Sequence, residues 1–236
     1  MFQLKGICLL APMILLGAVT LHAEPYWVAY EGDVFPEEDG WKHIYGEDDW
    51  PPEVFAERSV EDGVFTLDTL HDSTIFDHYT QPLSIAPGPD EVFVAEWRLR
   101  VDPASDPYDI SIVIARPGIP GHVDFLFAPE GVYVQFWEAY IEVAPAVYHS
   151  YQLVSSDMDS YSFYVDGELR YSSDFEDVTL LEGFISFGDG AINQRSSAEW
   201  DYFRFGVVPE PASQFGAMLF LAISRTVVRY AQARRR

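Results

Sequence analysis

The chain has 236 residues, is 48% apolar and 16% aromatic, and carries a formal net charge of −24 at pH 7. The apolar content excludes a disordered chain, and the acidity excludes nucleic acid as a partner, because phosphate binding rests on cationic side chains. The single cysteine, Cys8, excludes a disulfide framework or a zinc–thiolate cluster.

Residues 1–23 have the three parts of a secretory leader. Lys5 supplies the positive start, Ile7–Leu21 is an apolar run, and Leu21-His22-Ala23 precedes the acidic Glu24. A helical signal peptide is expected here, and its removal takes Cys8 with it. The predicted setting is outside the cytoplasm.

Residues 24–206 read as strands. Eight cationic side chains face 37 acidic ones within Glu24–Val207. Val64–Leu70 is the first candidate strand. Phe93–Val101 alternates: Phe93, Ala95, Trp97, Leu99 and Val101 share one face, and Val94, Glu96, Arg98 and Arg100 share the other. Ile110–Ala115, Val123–Phe127, Gly131–Trp137, Tyr148–Val154, Tyr161–Val165, Glu168–Tyr171, Gly183–Phe187 and Glu199–Gly206 continue the series. Asp166-Gly167 sits between two of these strands and predicts a type I′ hairpin, which needs positive φ at both central residues. Short strands separated by turn signals predict one all-β domain, a jelly-roll β-sandwich of two antiparallel sheets.

The order of these elements resembles the concanavalin A-like lectin/glucanase superfamily, near its laminin-G-like members. The carriers are the Trp97 strand, Tyr148–Val154, the Tyr164-Val165-Asp166-Gly167-Glu168 hairpin, Ile185–Gly190, and the closing strand Glu199–Phe205. The resemblance implies one concave sheet. It also implies a structural calcium ion, with Asp201 at the last-strand position and Glu31 and Asp33 near the mature N-terminus as its ligands. Calcium takes six to eight oxygen ligands.

Retaining glucanases of this fold carry Glu-x-Asp-x-x-Glu on one strand, which puts a nucleophile and an acid on one face. Glu199-Trp200-Asp201 has the first half, but Tyr202-Phe203-Arg204 follows. The Gln-x-His strand of the alginate-lyase relatives, the Gly-x-Ser-x-Gly elbow and the His-Glu-x-x-His helix are absent from the sequence. A carbohydrate surface is expected from Tyr133, Trp137 and Tyr140, with Arg98, Arg100 and Gln135 as polar company. The expected function is a non-catalytic domain that binds or packs within extracellular polysaccharide. The alternatives are a glycoside hydrolase or polysaccharide lyase with an unrecognised site, and a purely structural or adhesive surface protein.

Residues 207–236 form the tail. Pro209-Glu210-Pro211 precedes the apolar run Phe215–Ile223, and the chain closes on Arg234-Arg235-Arg236. This resembles the PEP-CTERM sorting signal of exosortase substrates. The resemblance implies a helical tail in transient contact with the membrane, an exosortase-type enzyme as partner, and placement at the surface or matrix of a Gram-negative-type bacterium. The run departs from the pattern: nine residues span about 14 Å as a helix, short of a hydrocarbon core of about 30 Å, and Arg225 and Arg229 interrupt its extension.

Overall fold

Period-two alternation, read across many short strands, produces two stacked sheets with one apolar layer between them. The computed structural model describes residues 26–45, 56–71, 77–118, 121–134, 138–143, 147–177, 182–190 and 194–210. The leader and all of the tail beyond Glu210 lie outside the described residues.

The strands are β1 (Tyr26–Tyr30), β2 (Lys42–Tyr45), β3 (Glu57–Glu61), β4 (Val64–Asp68), β5 (Asp77–Pro82), β6 (Glu91–Val101), β7 (Ile110–Ala115) and β8 (His122–Ala128). They continue with β9 (Gly131–Val134), β10 (Ala139–Glu142), β11 (His149–Ser155), β12 (Ser160–Val165), β13 (Glu168–Asp174), β14 (Phe184–Asp189) and β15 (Ser197–Pro209). One sheet runs β13-β12-β11-β6-β15-β4-β3, with β1 also pairing β15; the other runs β10-β9-β8-β7-β14-β5-β2. All the strand pairs are antiparallel. The all-β sandwich expected from the sequence is the fold observed.

The faces of β6 fall as its alternation predicts. Phe93, Ala95, Trp97 and Leu99 are buried in the core, while Glu96, Arg98 and Arg100 are half-buried on the outer face. The core is aromatic. Trp97 stacks on Phe203 at 5.7 Å between ring centroids, and Phe125 stacks on Phe163 from the opposite sheet at 4.4 Å. Such pairs contribute about 0.5–1.5 kcal/mol each beyond the area they bury.

The β12–β13 turn has φ 53° at Asp166 and 83° at Gly167, as a type I′ hairpin requires. Asp62 and Gly63 repeat the device between β3 and β4, with φ 53° and 78°. A bulge in β15 shifts its register against β6 between Trp200 and Tyr202. Gly32 packs into this bulge at φ +70°, where a Cβ would lie 2.8–2.9 Å from the carbonyl oxygens of Asp201, Gly63 and Trp200. Glycine alone fits there, both for its φ and for its size.

Candidate active site on the outer face of β8

On β7 and β8, Ile110, Ile112, Ile114, Val123, Phe125 and Phe127 point into the core. The intervening residues Ser111, Val113, His122, Asp124 and Leu126 therefore face outward. An aspartate and a histidine here are nonetheless almost fully covered: Asp124 is 5% exposed and His122 7%. A buried charge is retained only when paired. His122 Nε2 lies 2.9 Å from Asp124 Oδ2.

A second carboxylate reaches this pair from far along the chain. Glu176 forms an isolated antiparallel bridge with His122. The amide of His122 donates to the Glu176 carbonyl at 3.1 Å, and that of Glu176 donates to the His122 carbonyl at 3.0 Å. Residues paired in this way project to one face, and the diagonal neighbour lies about 7–8 Å away. Asp124 is that diagonal neighbour of Glu176, so two carboxylates flank one imidazole. Asp124 is at the floor and Glu176 is exposed at the rim.

The segment carrying Glu176 is held from beneath by Arg116, itself 7% exposed. Its Nη1 donates to Asp159 at 2.8 Å and to the Met158 carbonyl at 3.2 Å; its Nη2 donates to Asp177 at 3.4 Å. The guanidinium also lies 5.9 Å from the centroid of the Phe175 ring. The hydrogen bond with Asp124 raises the His122 pKa above its ordinary value. Burial opposes that rise, and the charges of Asp124 and Glu176 add to it.

Beside this constellation lies an aromatic surface. Tyr133 pairs with Leu126 across β8–β9, which puts it diagonal to Asp124. Its ring meets Tyr108 edge-on at 4.6 Å and Tyr140 at 4.7 Å. The hydrogen bond with Tyr108 pushes the Tyr133 pKa up to about 12, so its hydroxyl stays neutral through the physiological range. Tyr108 holds φ +75°, a strained conformation for a bulky residue that persists only where its surroundings impose it.

The residues expected from the sequence to form a carbohydrate surface are not brought together. Tyr133 and Tyr140 lie on the outer face of the β8 sheet, whereas Arg98 and Arg100 lie on the other sheet. Gln135 and Trp137 fall outside the described residues. Arg98 pairs with Asp201 and Arg100 with Glu199, whose second oxygen accepts from the Tyr148 hydroxyl. The Arg98 guanidinium lies 4.7 Å over the Tyr148 ring. Further along β6, Tyr202 donates to Glu96 at 2.6 Å. This is a half-exposed ladder of matched charges, in which each pair contributes about 0–1 kcal/mol.

Two of the three carboxylates expected to hold calcium, Glu31 and Asp201, belong to the same ladder. Glu31 is bound by Arg204, whose Nε donates at 2.8 Å, and Asp201 by Arg98. Asp33 sits in the early acidic loop, where its charge, with those of Glu31 and Glu38, adds to the burial that raises the Asp39 pKa. Among the described residues no group of three or more histidine, cysteine, aspartate or glutamate side chains is arranged to hold a metal ion. The expected ligand set thus does not fit calcium as it stands, because guanidinium groups already occupy two of its three carboxylates. Of the residues expected to form a sorting motif, Pro209 ends β15, Glu210 donates its amide to the Asp90 carbonyl at 2.8 Å, and Pro211 lies outside the described residues.

No family model matches the chain, and no curated protein matches it. Solved structures do. A carbohydrate esterase from Shiga toxin-encoding bacteriophage phi24B superposes with a TM-score of 0.55 at 8% identity, covering 78% of this chain and 100% of that one. A glycosyl hydrolase family protein from Mycobacterium fortuitum gives 0.52 at 13%, covering 75% and 97%. The β-glucanase of Bacillus licheniformis gives 0.50 at 13%, covering 78% and 98%. At these identities the likeness establishes the fold alone, an all-β jelly-roll sandwich of two antiparallel sheets.

The expectation of a non-catalytic domain is corrected by this finding. It rested on fold analogy and on the missing Glu-x-Asp-x-x-Glu run. The similar structures reported above are named a carbohydrate esterase, a glycosyl hydrolase family protein and a β-glucanase, so fold analogy does not favour a non-catalytic domain. The missing run does not decide the matter, because a second carboxylate can come from another segment of the chain.

Proposed function

We propose that the protein is a glycoside hydrolase acting on an extracellular polysaccharide at the outer face of β8. The observation that carries this reading is the carboxylate–imidazole–carboxylate series Asp124–His122–Glu176 beside the Tyr108–Tyr133–Tyr140 surface. Glycosidic hydrolysis needs one carboxyl group to protonate the leaving oxygen and another to activate water. In inverting enzymes the two stand about 6.5–9.5 Å apart; Asp124 and Glu176 sit diagonally across a strand bridge, where Cα atoms are about 7–8 Å apart. In this reading the exposed Glu176 delivers the proton and Asp124, at the floor, activates the water. His122 orients Asp124, and the tyrosine faces stack on sugar rings. The balance is that of hydrolysis: water adds across the C–O bond, leaving one new reducing end and one free hydroxyl.

The purified protein is expected to release reducing ends from at least one member of a panel of neutral and acidic polysaccharides. Glu176→Gln is expected to lower that release about 100-fold or more, the usual scale of general acid catalysis. No release from any polymer, or full release by the variant, would sink the assignment.

The setting we propose is the cell exterior, supported by the leader over residues 1–23 and by the Pro209-Glu210-Pro211 tail with its terminal arginines. Mass spectrometry of surface and matrix fractions should then find a chain that begins at Glu24 and ends near Pro211. Recovery of the intact 236-residue chain from the cytoplasm would remove this part of the proposal.

A further inference from the structure

The outer face of the other sheet changes character along its length. At one end is the ladder of ion pairs; at the other is an open groove of about 500 Å³. That volume is within the range of small-molecule sites, about 300–1,000 Å³. The groove has an apolar floor of Val92 and Val154, from adjacent strands β6 and β11. Its wall is a row of hydroxyls. Ser162 and Ser172 stand opposite each other on β12 and β13 with their oxygens 3.1 Å apart, and the Tyr164 ring lies one step further along β12. Six serines line the groove in all. Two carboxylates also line it, Asp174 from β13 and Glu210 from the end of β15, and among the described residues no lysine, arginine or histidine does.

This combination specifies a ligand chemistry. Hydroxyls and carboxylates serve polyhydroxylated molecules, because a carboxylate accepts from vicinal diols while serine both donates and accepts. The valine floor and Tyr164 suit the apolar face of a sugar ring. The two carboxylates, which repel negative charge and have no cation beside them among the described residues, disfavour an anionic ligand. We propose that this groove is a second saccharide-binding site, selective for sugar units that carry no acidic group. It lies on the sheet opposite the β8 site and does not depend on catalysis there. Glu210, part of the sorting motif, would thereby sit at the rim of a binding groove.

The test uses the full chain carrying Asp124→Asn, so that substrate is not consumed. Calorimetric titration with cellotetraose and with the chitosan tetramer should show binding, and tetragalacturonate should show none. Tyr164→Ala and Ser172→Val, each on the same background and with unchanged melting temperature, should weaken binding of the first two about tenfold. Absence of binding by either non-acidic tetramer, unaltered affinity in both variants, or preferential binding of tetragalacturonate would overturn the proposal. Binding that Tyr164→Ala and Ser172→Val both leave unaltered belongs to the β8 site, so failure here leaves the β8 hydrolase assignment standing, and loss of that assignment leaves the groove standing.

Discussion

Asp124→Asn is expected to lower hydrolysis by about 100- to 10,000-fold while the melting temperature stays within a few degrees. The amide has the shape of the carboxylate and still offers an oxygen to His122, so the floor of the site keeps its packing. What it loses is the charge that activates water. The contrast between activity and stability is the informative part: a merely structural aspartate, 5% exposed and bonded to a buried histidine, would change the melting temperature and leave turnover per folded molecule alone.

The pH dependence carries a second signature of the same charge. His122 has its pKa raised in the folded state, first by the hydrogen bond with Asp124. The protonated imidazole is thus favoured by folding. Its contribution to stability is fully present below its unfolded pKa, about 6.5, and is lost as pH rises through the higher folded value. His78 has the opposite sign: burial pushes its pKa down to about 4, so folding favours its neutral form and stability falls as pH drops from about 6.5 toward 4. In the Asp124→Asn variant the His122 contribution near neutrality should shrink and the His78 limb at acid pH should persist. An unchanged stability profile near neutrality would show that Asp124 does not hold the His122 proton.

The parts of this molecule that were legible in sequence are those written in a local code. The alternation of β6 told which side chains enter the core, because a strand has a fixed period of two. Asp166-Gly167 told the hairpin, because two consecutive positive φ values favour that dipeptide. The short strands β1, β2, β3, β5 and β10 escaped. They have only four to six residues, and their sequences, from the uniformly apolar β1 to Lys42-His43-Ile44-Tyr45, are too short to show a period.

The site was less legible for a related reason. His122 and Asp124 stand two apart, a spacing that looks like any outward-facing pair on a strand. Glu176 joins them through a single bridge between distant segments, and nothing in the local sequence announces that pairing. Arg98 and Arg100 were placed on the correct face of β6, yet their partners Asp201 and Glu199 come from β15, and that choice of neighbour is set by topology. The half-motif Glu199-Trp200-Asp201 is explained by the same pairing: its two carboxylates neutralise the arginines of the adjacent strand.

Phe187→Ala is expected to have the largest effect on stability of any single truncation in the β14 half of the core, a loss of about 3–5 kcal/mol. Phe187 is 1% exposed and is the ring on which five others converge. Trp200 is 4.7 Å away, Trp41 4.9 Å, Phe203 5.2 Å, Tyr79 5.5 Å and Tyr30 5.9 Å. These partners come from both sheets and from the loop after β1, so the void left by alanine cannot be closed by moving one element. Collapse would have to shift β15 against β14, and β15 is held along its length by β6 and β1. The cost is therefore the transfer term plus a cavity term with little relief. Domains of this size have a total stability of about 5–15 kcal/mol, so the variant should unfold at a much lower urea midpoint and lose hydrolytic activity only through the unfolded fraction. Leu169→Ala on the edge strand β13 is the matched control: its side chain is 57% exposed, and its removal should cost no more than about 0.5 kcal/mol. A loss below about 1 kcal/mol in Phe187→Ala would mean that the aromatic layer repacks around the void, and that the two halves of the core are less rigidly joined than the ring contacts describe.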